Sequence, residues 1–179
     1  MKKVLVISTS MRVGHNSDHF AQVFCDGAIS AGHEVEYISL KGRKISFCIG
    51  CSACHTSRRC VLQDDAAEII EKMKQADVLV FATPIYFFEM SGQMKTLLDR
   101  TNPLFMEEYA FRDVYLLTAA HDGRAAAVDR CIAGLEGWLE CFERAKLAGV
   151  VRGNGLSERG DAQSAPELLA QVYRMAANI

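Results

Sequence analysis

The sequence lacks the signatures of several large protein classes. The apolar run nearest its start, Val4–Ile7, is too short for the core of a signal peptide, and no later run could span a bilayer. Twenty Lys and Arg against 22 Asp and Glu leave a formal charge of −2, which gives no electrostatic case for binding nucleic acid or an anionic membrane. Neither G-x-x-x-x-G-K-[S/T] nor G-x-G-x-x-G occurs, which removes the Walker A loop and the dinucleotide fingerprint. There is no internal repeat, low-complexity tract or linker. A single domain over residues 1–179 is expected, in the cytoplasm, with its thiols reduced.

Half the residues are apolar, enough for a globular core. Short β-branched or apolar runs at Val4–Ile7, Glu34–Leu40, Val78–Ala82, Val114–Leu117 and Lys146–Val151 predict strands. Between them lie stretches of helical spacing. The first runs from a cap at Asn16 or Ser17 to about Gly32, and the second follows Asp64-Asp65, with Glu68 placed for a capping box. The others carry Met90, Met94, Leu97 and Leu98, then Val128 to Phe142, then the residues after Pro166. Thr83-Pro84 is expected to end its strand. Strict alternation predicts an α/β three-layer sandwich. Its five-stranded parallel sheet would have the flavodoxin-like order 2-1-3-4-5 and helices on both faces. Right-handed crossovers gather the strand-to-helix loops on one edge, where ligands bind.

Cysteine is what the chain has in concentration. Four of seven lie in C-I-G-C-S-A-C-H-T-S-R-R-C, residues 48–60. Reduced thiols at this spacing point to metal or redox chemistry. Three readings stand. One is a [4Fe-4S] cluster on Cys48, Cys51, Cys54 and Cys60. Another is a structural zinc, although zinc ligands usually come as two separated pairs. The third is a loop of free, oxidisable thiols. His55 could replace one cysteine. Cys25, Cys131 and Cys141 fall in helices and read as small packing residues. The loop follows the second strand and is expected on the ligand-binding edge.

Three further loops belong to that edge. Ser8–Ser17, S-T-S-M-R-V-G-H-N-S, opens a helix with hydroxyls and an arginine, and reads either as a phosphate cradle or as an ordinary capped turn. Thr83–Gly92 carries Tyr86, Phe87 and Phe88, which could flank a flat ligand or pack beneath the loop. Thr118–Arg124 would close the other side of the pocket. His15 and His121 sit in these loops and read as surface residues before catalytic ones.

The chain resembles the flavodoxin-like NAD(P)H-dependent FMN reductases, and among them the iron–sulfur flavoproteins. The resemblance is carried by S-T-S-M-R…N-S, the cysteine loop with Asp64-Asp65, T-P-I-Y-F, and Met94-Lys95…Leu98-Asp99-Arg100. The family usually reads S-G-S-P-R where this chain has Thr9 and Met11. The resemblance implies that Ser10, Arg12, Asn16 and Ser17 hold the FMN phosphate, with Ser8 and Met11 beside them in the cofactor site. Pro84, Ile85, Tyr86, Phe87 and Phe88 would lie along the isoalloxazine ring, with Thr118, Ala119, Ala120, Asp122 and Gly123 on its other side. It implies an FMN-dependent oxidoreductase that relays electrons between a [4Fe-4S] cluster and FMN. NAD(P)H, a quinone or ferredoxin would be donor or acceptor, and the flavin positioned by the protein would carry the chemistry. It also implies a homodimer or homotetramer, with Asn102–Phe111 contributing to a contact. Other outcomes are a cluster-free NAD(P)H-dependent FMN or quinone reductase, a non-enzymatic electron carrier, or a zinc-stabilised flavin-binding module.

Overall fold

The computed structural model describes residues 1–179. The apolar runs form strands β1 (Lys3–Ser8), β2 (Glu34–Ser39), β3 (Val78–Tyr86), β4 (Glu89–Met90), β5 (Asp113–Ala120) and β6 (Lys146–Asn154). Five of them make a parallel sheet in the order β2-β1-β3-β5-β6, and β4 pairs antiparallel with the end of β3. Among the parallel strands this is the expected 2-1-3-4-5. β1, β3 and β5 are buried almost throughout because helices cover both faces of the sheet.

Helices α1 (Asn16–Ser30), α2 (Cys54–Ser57), α3 (Ala66–Gln75), α4 (Gly92–Arg100), α5 (Asn102–Phe105), α6 (Asp129–Leu139) and α7 (Pro166–Ala177) connect them. Two cores result. One, with Phe20, Phe24 and Val172, fills the space between the sheet and the α1/α7 layer. The larger, with Ile69, Met73, Met94, Leu97 and Leu135, lies under α3, α4 and α6. No helix is long and apolar enough to cross a membrane.

Several boundaries differ from expectation. Pro84 does not end β3, which continues to Tyr86 with Pro84 opposite Ala119. Thr9 N–H donates to the Ala82 carbonyl, so every second residue of β3 faces β1. The missing N–H of Pro84 therefore points past the end of β1, onto an edge where no ladder bond is lost. Met90 belongs to β4, because Ser91 caps α4 by accepting the Met94 N–H at 3.3 Å. The cap residue of α1 is His15, without a side-chain bond, and Asn16 and Ser17 are buried in the first turn. The cap residue of α3 is Asp65, without a side-chain cap bond; Asp64 just before it accepts the Ala66 N–H, and Glu68 pairs with Arg43 and Lys72 instead of completing a capping box. Val128 ends a short 3-10 helix, Ala125–Val128, just before α6, and Phe142 lies just beyond α6, both buried. Within Asn102–Phe111, Pro103, Leu104 and Phe111 are buried, and Phe111 stacks on Tyr109 and Trp138. Phe105 alone among its phenylalanines is exposed.

Candidate functional site

The first loop is built around a buried acid. Asp18 accepts the Ser8 hydroxyl at 2.6 Å, the Tyr37 phenol at 2.5 Å and the Gly14 N–H at 2.7 Å. Gly14 takes φ +72°, which lets the loop turn back over the start of α1. Ser10 closes a short turn, accepting the Arg12 N–H and donating to the Arg12 carbonyl, each at 3.1 Å. Thr9 meets Ser91 Oγ at 3.0 Å, and Thr83 Oγ1 accepts the Ser91 N–H at 3.1 Å, so the first and third loops share one hydroxyl network. Ser10 and Ser17 lie buried at the mouth of the 15-residue α1, Met11 packs partly on the core, and Arg12 stands in solvent.

Two of the expected contacts are turned elsewhere. Ser8 faces down to Asp18. Asn16 braces the fifth loop, donating to the Glu158 carbonyl and accepting the Ala162 N–H, each at 3.1 Å. Burial, then the guanidinium groups of Arg12 and Arg159, hold the His15 imidazole below its ordinary pKa. Arg12 and Arg159 thus bring two cations to this corner, with the Glu158 carboxylate acting against them.

The third loop is a two-residue hairpin between Ile85-Tyr86 and Glu89-Met90. Phe87 and Phe88 both have positive φ, 51° and 67°, the pattern of a type I′ turn usually filled by Asn-Gly. Phe87 is 97% exposed, Tyr86 half-exposed, and Phe88 lies under the Arg124 guanidinium at 5.2 Å. In the fourth loop, Thr118 sits below the edge and bonds to the Val151 carbonyl, and Ala119 and Ala120 are buried. Asp122 is held by Arg124, and Gly123 is exposed at the rim. The Leu156 and Gly155 N–H groups donate to the Ala120 and Asp122 carbonyls, which ties the fourth loop to the fifth.

The cysteine loop takes a different position from the expected one. It begins on the edge, where Phe47 and Met11 line one groove with Gly92. It then descends beside α4. Cys48, Cys51, Cys54 and Cys60 all line one cavity of about 240 Å³, whose far wall is Asp99, Arg100, Asn102 and Pro103. That wall lies at the C-terminal end of α4, about 12 Å below Gly92 at ~1.5 Å per residue. Only the beginning of the loop shares the edge, because the crossover helix carries its partners away from it.

Gly50, Ser52 and Arg58 all have positive φ in this loop, and strain at the two non-glycine positions marks a conformation held by its surroundings. Burial, then the neighbouring sulfurs of Cys60, Cys51 and Cys48, push the Cys54 thiol up, as expected where four thiols face one space. No three His, Cys, Asp or Glu side chains converge on a point where one metal ion would be held.

Arg100 closes this cavity from the protein side. Its side chain has no exposed surface, and it donates to both Asp64 oxygens at 2.7 and 3.0 Å, to the Ser46 carbonyl at 2.8 Å and to Cys60 Sγ at 3.3 Å. Asp18 and Arg100 were not selected as site residues from sequence. Their signal is a charge on an apolar face: Asp18 is three residues before Ala21 and seven before Cys25, and Arg100 is three after Leu97, all buried.

The chain matches the family model of NADPH-dependent FMN reductase over residues 2–151. An iron-sulfur flavoprotein of Methanocaldococcus jannaschii is 38% identical over 102 residues, 57% of this chain and 53% of that protein, so this chain spans about half of that relative's length. An iron-sulfur flavoprotein of Methanosarcina thermophila is 28% identical over 138 residues, 76% of this chain and 72% of that one. In fold, an FMN-dependent NADH-azoreductase from Bacillus anthracis, solved with FMN, is similar over 99% of both chains, with TM-score 0.72 and 15% identity.

Proposed function

We propose, from the premise that this chain belongs to the NADPH-dependent FMN reductase family, that it is an FMN-dependent oxidoreductase that also carries a [4Fe-4S] cluster. The observation that carries the flavin half is the first loop. Ser10 and Ser17 are buried at the start of α1, and Asp18 fixes the loop from below while using its own oxygens on Ser8, Tyr37 and Gly14. The Ser17 hydroxyl and the opening amides of α1 are placed to meet a phosphate, Ser10 shapes the turn beside them, and Arg12 adds charge from solvent. Ile85–Phe88 offers apolar and ring surface beside it, and Ala120–Gly123 forms the opposite rim.

The cluster half is supported by four thiols that line one cavity, by the iron-sulfur flavoprotein names of the relatives, and by two donors aimed at sulfur. Arg100 donates to Cys60, and Asn102 Nδ2 lies 4.0 Å from Cys48 Sγ. Bound there, FMN supplies hydride acceptance and one- or two-electron delivery, and the cluster supplies one-electron exchange. The chain's own residues hold, orient and shield these groups. NAD(P)H, a quinone or ferredoxin is the electron partner, the location is the cytoplasm, and the assembly is a homodimer or homotetramer.

Anaerobic purification tests the reading. Flavin absorbance together with about four irons per chain supports both halves. Flavin without iron leaves the cluster-free reductase, and stoichiometric zinc moves the loop to a structural role. A S17E variant should lose FMN, and retained FMN would refute the phosphate-loop assignment. Bleaching of the flavin by NADH or NADPH identifies a reductase; bleaching by reduced ferredoxin alone identifies an electron carrier.

A further inference from the structure

We infer that Arg100 is a positioning residue that sets the reduction potential of the cysteine centre, and that Asp64 opposes it. The inference rests on the cluster reading above. Arg100 is the only arginine or lysine lining the cysteine cavity. Arg58 and Arg59, although in the loop, are exposed, so water screens their charge. The Arg100 side chain has no exposed surface and Asp64 retains 8%. In that setting a fixed charge acts at higher strength than at the surface.

The geometry divides the work between the two ends of the guanidinium. Nη1 binds Asp64 Oδ2 and the Ser46 carbonyl, which anchors it to both ends of the cysteine segment. Nη2 divides its donors between Asp64 Oδ1 at 3.0 Å and Cys60 Sγ at 3.3 Å. Nε is buried with no partner. An arginine placed only to satisfy a carboxylate would not need a sulfur contact or a buried unpaired Nε. This one is held with part of its donor capacity turned to the thiols.

The sign follows from charge. Four thiolates on a [4Fe-4S] core of charge 2+ give a net 2−, and gain of one electron takes this to 3−. A buried cation that also donates to a ligand sulfur favours the more negative state and raises the potential. The Asp64 carboxylate disfavours it and lowers the potential. Removing the two partners of one ion pair should therefore shift the potential in opposite directions. Simple loss of structure would not produce that split.

The test is an anaerobic titration of the full chain with dithionite and redox mediators. Cluster and flavin are followed in the same sample. R100Q should shift the cluster to more negative potential, D64N to more positive potential, and R100K should stay near wild type because the charge is kept. The flavin, about a helix length away, should not move. Cluster shifts of the same sign in R100Q and D64N, or no shift in either, would overturn the assignment while leaving the cluster reading intact. If R100Q does not accumulate, D64N and R100K decide it: a D64N shift to negative potential, or an R100K shift as large as that of D64N, overturns it. Wild-type protein without iron overturns the cluster reading and this inference together.

Discussion

Tyr37 donates its phenol to Asp18 across 2.5 Å, and this one contact ties the second strand to the loop that opens α1. The same carboxylate holds Ser8 and the Gly14 N–H, so three donors lose their acceptor together in D18A. Hydrogen bonds to a charged group are worth about 1.5–3 kcal/mol each. If as little as ~1.4 kcal/mol reaches the phosphate loop, FMN binds about tenfold more weakly. Quenching of free FMN fluorescence measures this directly. D18N should lie between D18A and wild type, since its amide oxygen still accepts. An unchanged dissociation constant in D18A would mean that the loop is set without Asp18.

The Asp64–Arg100 pair predicts acid sensitivity. Burial alone would raise the Asp64 carboxyl, but the Arg100 hydrogen bonds and the Ser46 and Ala66 N–H groups outweigh it and pull the pKa from 3.8 to about 2. A depressed acid stabilises the fold above its unfolded pKa, and the contribution is lost as pH falls through the folded value. The affected window is thus from 3.8 down to about 2, and the linked stability is on the order of 2 kcal/mol. Urea denaturation of the metal-free protein at several pH values in this range should show the loss. D64N should be less stable at neutral pH and should lack this part of the acid dependence.

The sheet order was legible because β1, β3 and β5, buried on both faces, read as short apolar runs that alternate strictly with helical stretches, a combination that calls for a covered parallel sheet. The boundaries at Pro84 and Met90 were not. Each depends on where a neighbouring element stops: Pro84 is tolerated because β1 ends at Ser8, and Met90 is excluded from α4 because Ser91 caps it. Residues of the candidate site were legible as types and spacings. Their engagement was not: nothing local says that Asn16 reaches Ala162, or that Ser8 faces Asp18. The depth of the cysteines beside α4 was also hidden, since it depends on Arg100 meeting Asp64 and Ser46 across more than 35 residues of sequence.

The Phe87-Phe88 turn should exchange stability for function. Two non-glycine residues at positive φ cost about 1–3 kcal/mol each, and Phe87 recovers little by burial because it is 97% exposed. Replacing the pair with Asn-Gly, which suits a type I′ turn, should raise the melting temperature of the flavin-free protein. The same replacement removes both rings from the proposed flavin slot, so FMN affinity should fall. A melting temperature that drops would show that Phe88, under Arg124, contributes more packing than the backbone strain costs.

Gly27 and Gly137 both lie in helices, and alanine at the two positions should have opposite effects. On propensity alone, each Gly→Ala change stabilises a helix interior by about 1 kcal/mol. At Gly137 a Cβ meets nothing within 4 Å, so that gain should be realised up to the fraying of the last turn of α6. At Gly27 a Cβ would lie 2.7 Å from the Tyr173 carbonyl oxygen and 2.9 Å from Ala176 Cβ, where α1 crosses α7. The carbonyl is backbone and cannot swing aside, so α7 must shift, at an overpacking cost of about 1–3 kcal/mol. G27A should therefore unfold at lower denaturant and G137A at equal or higher denaturant than wild type, with unchanged m-values. If G27A proves as stable as G137A, α7 can slide on α1 at no cost, and the tight crossing does not hold the C-terminal helix in place.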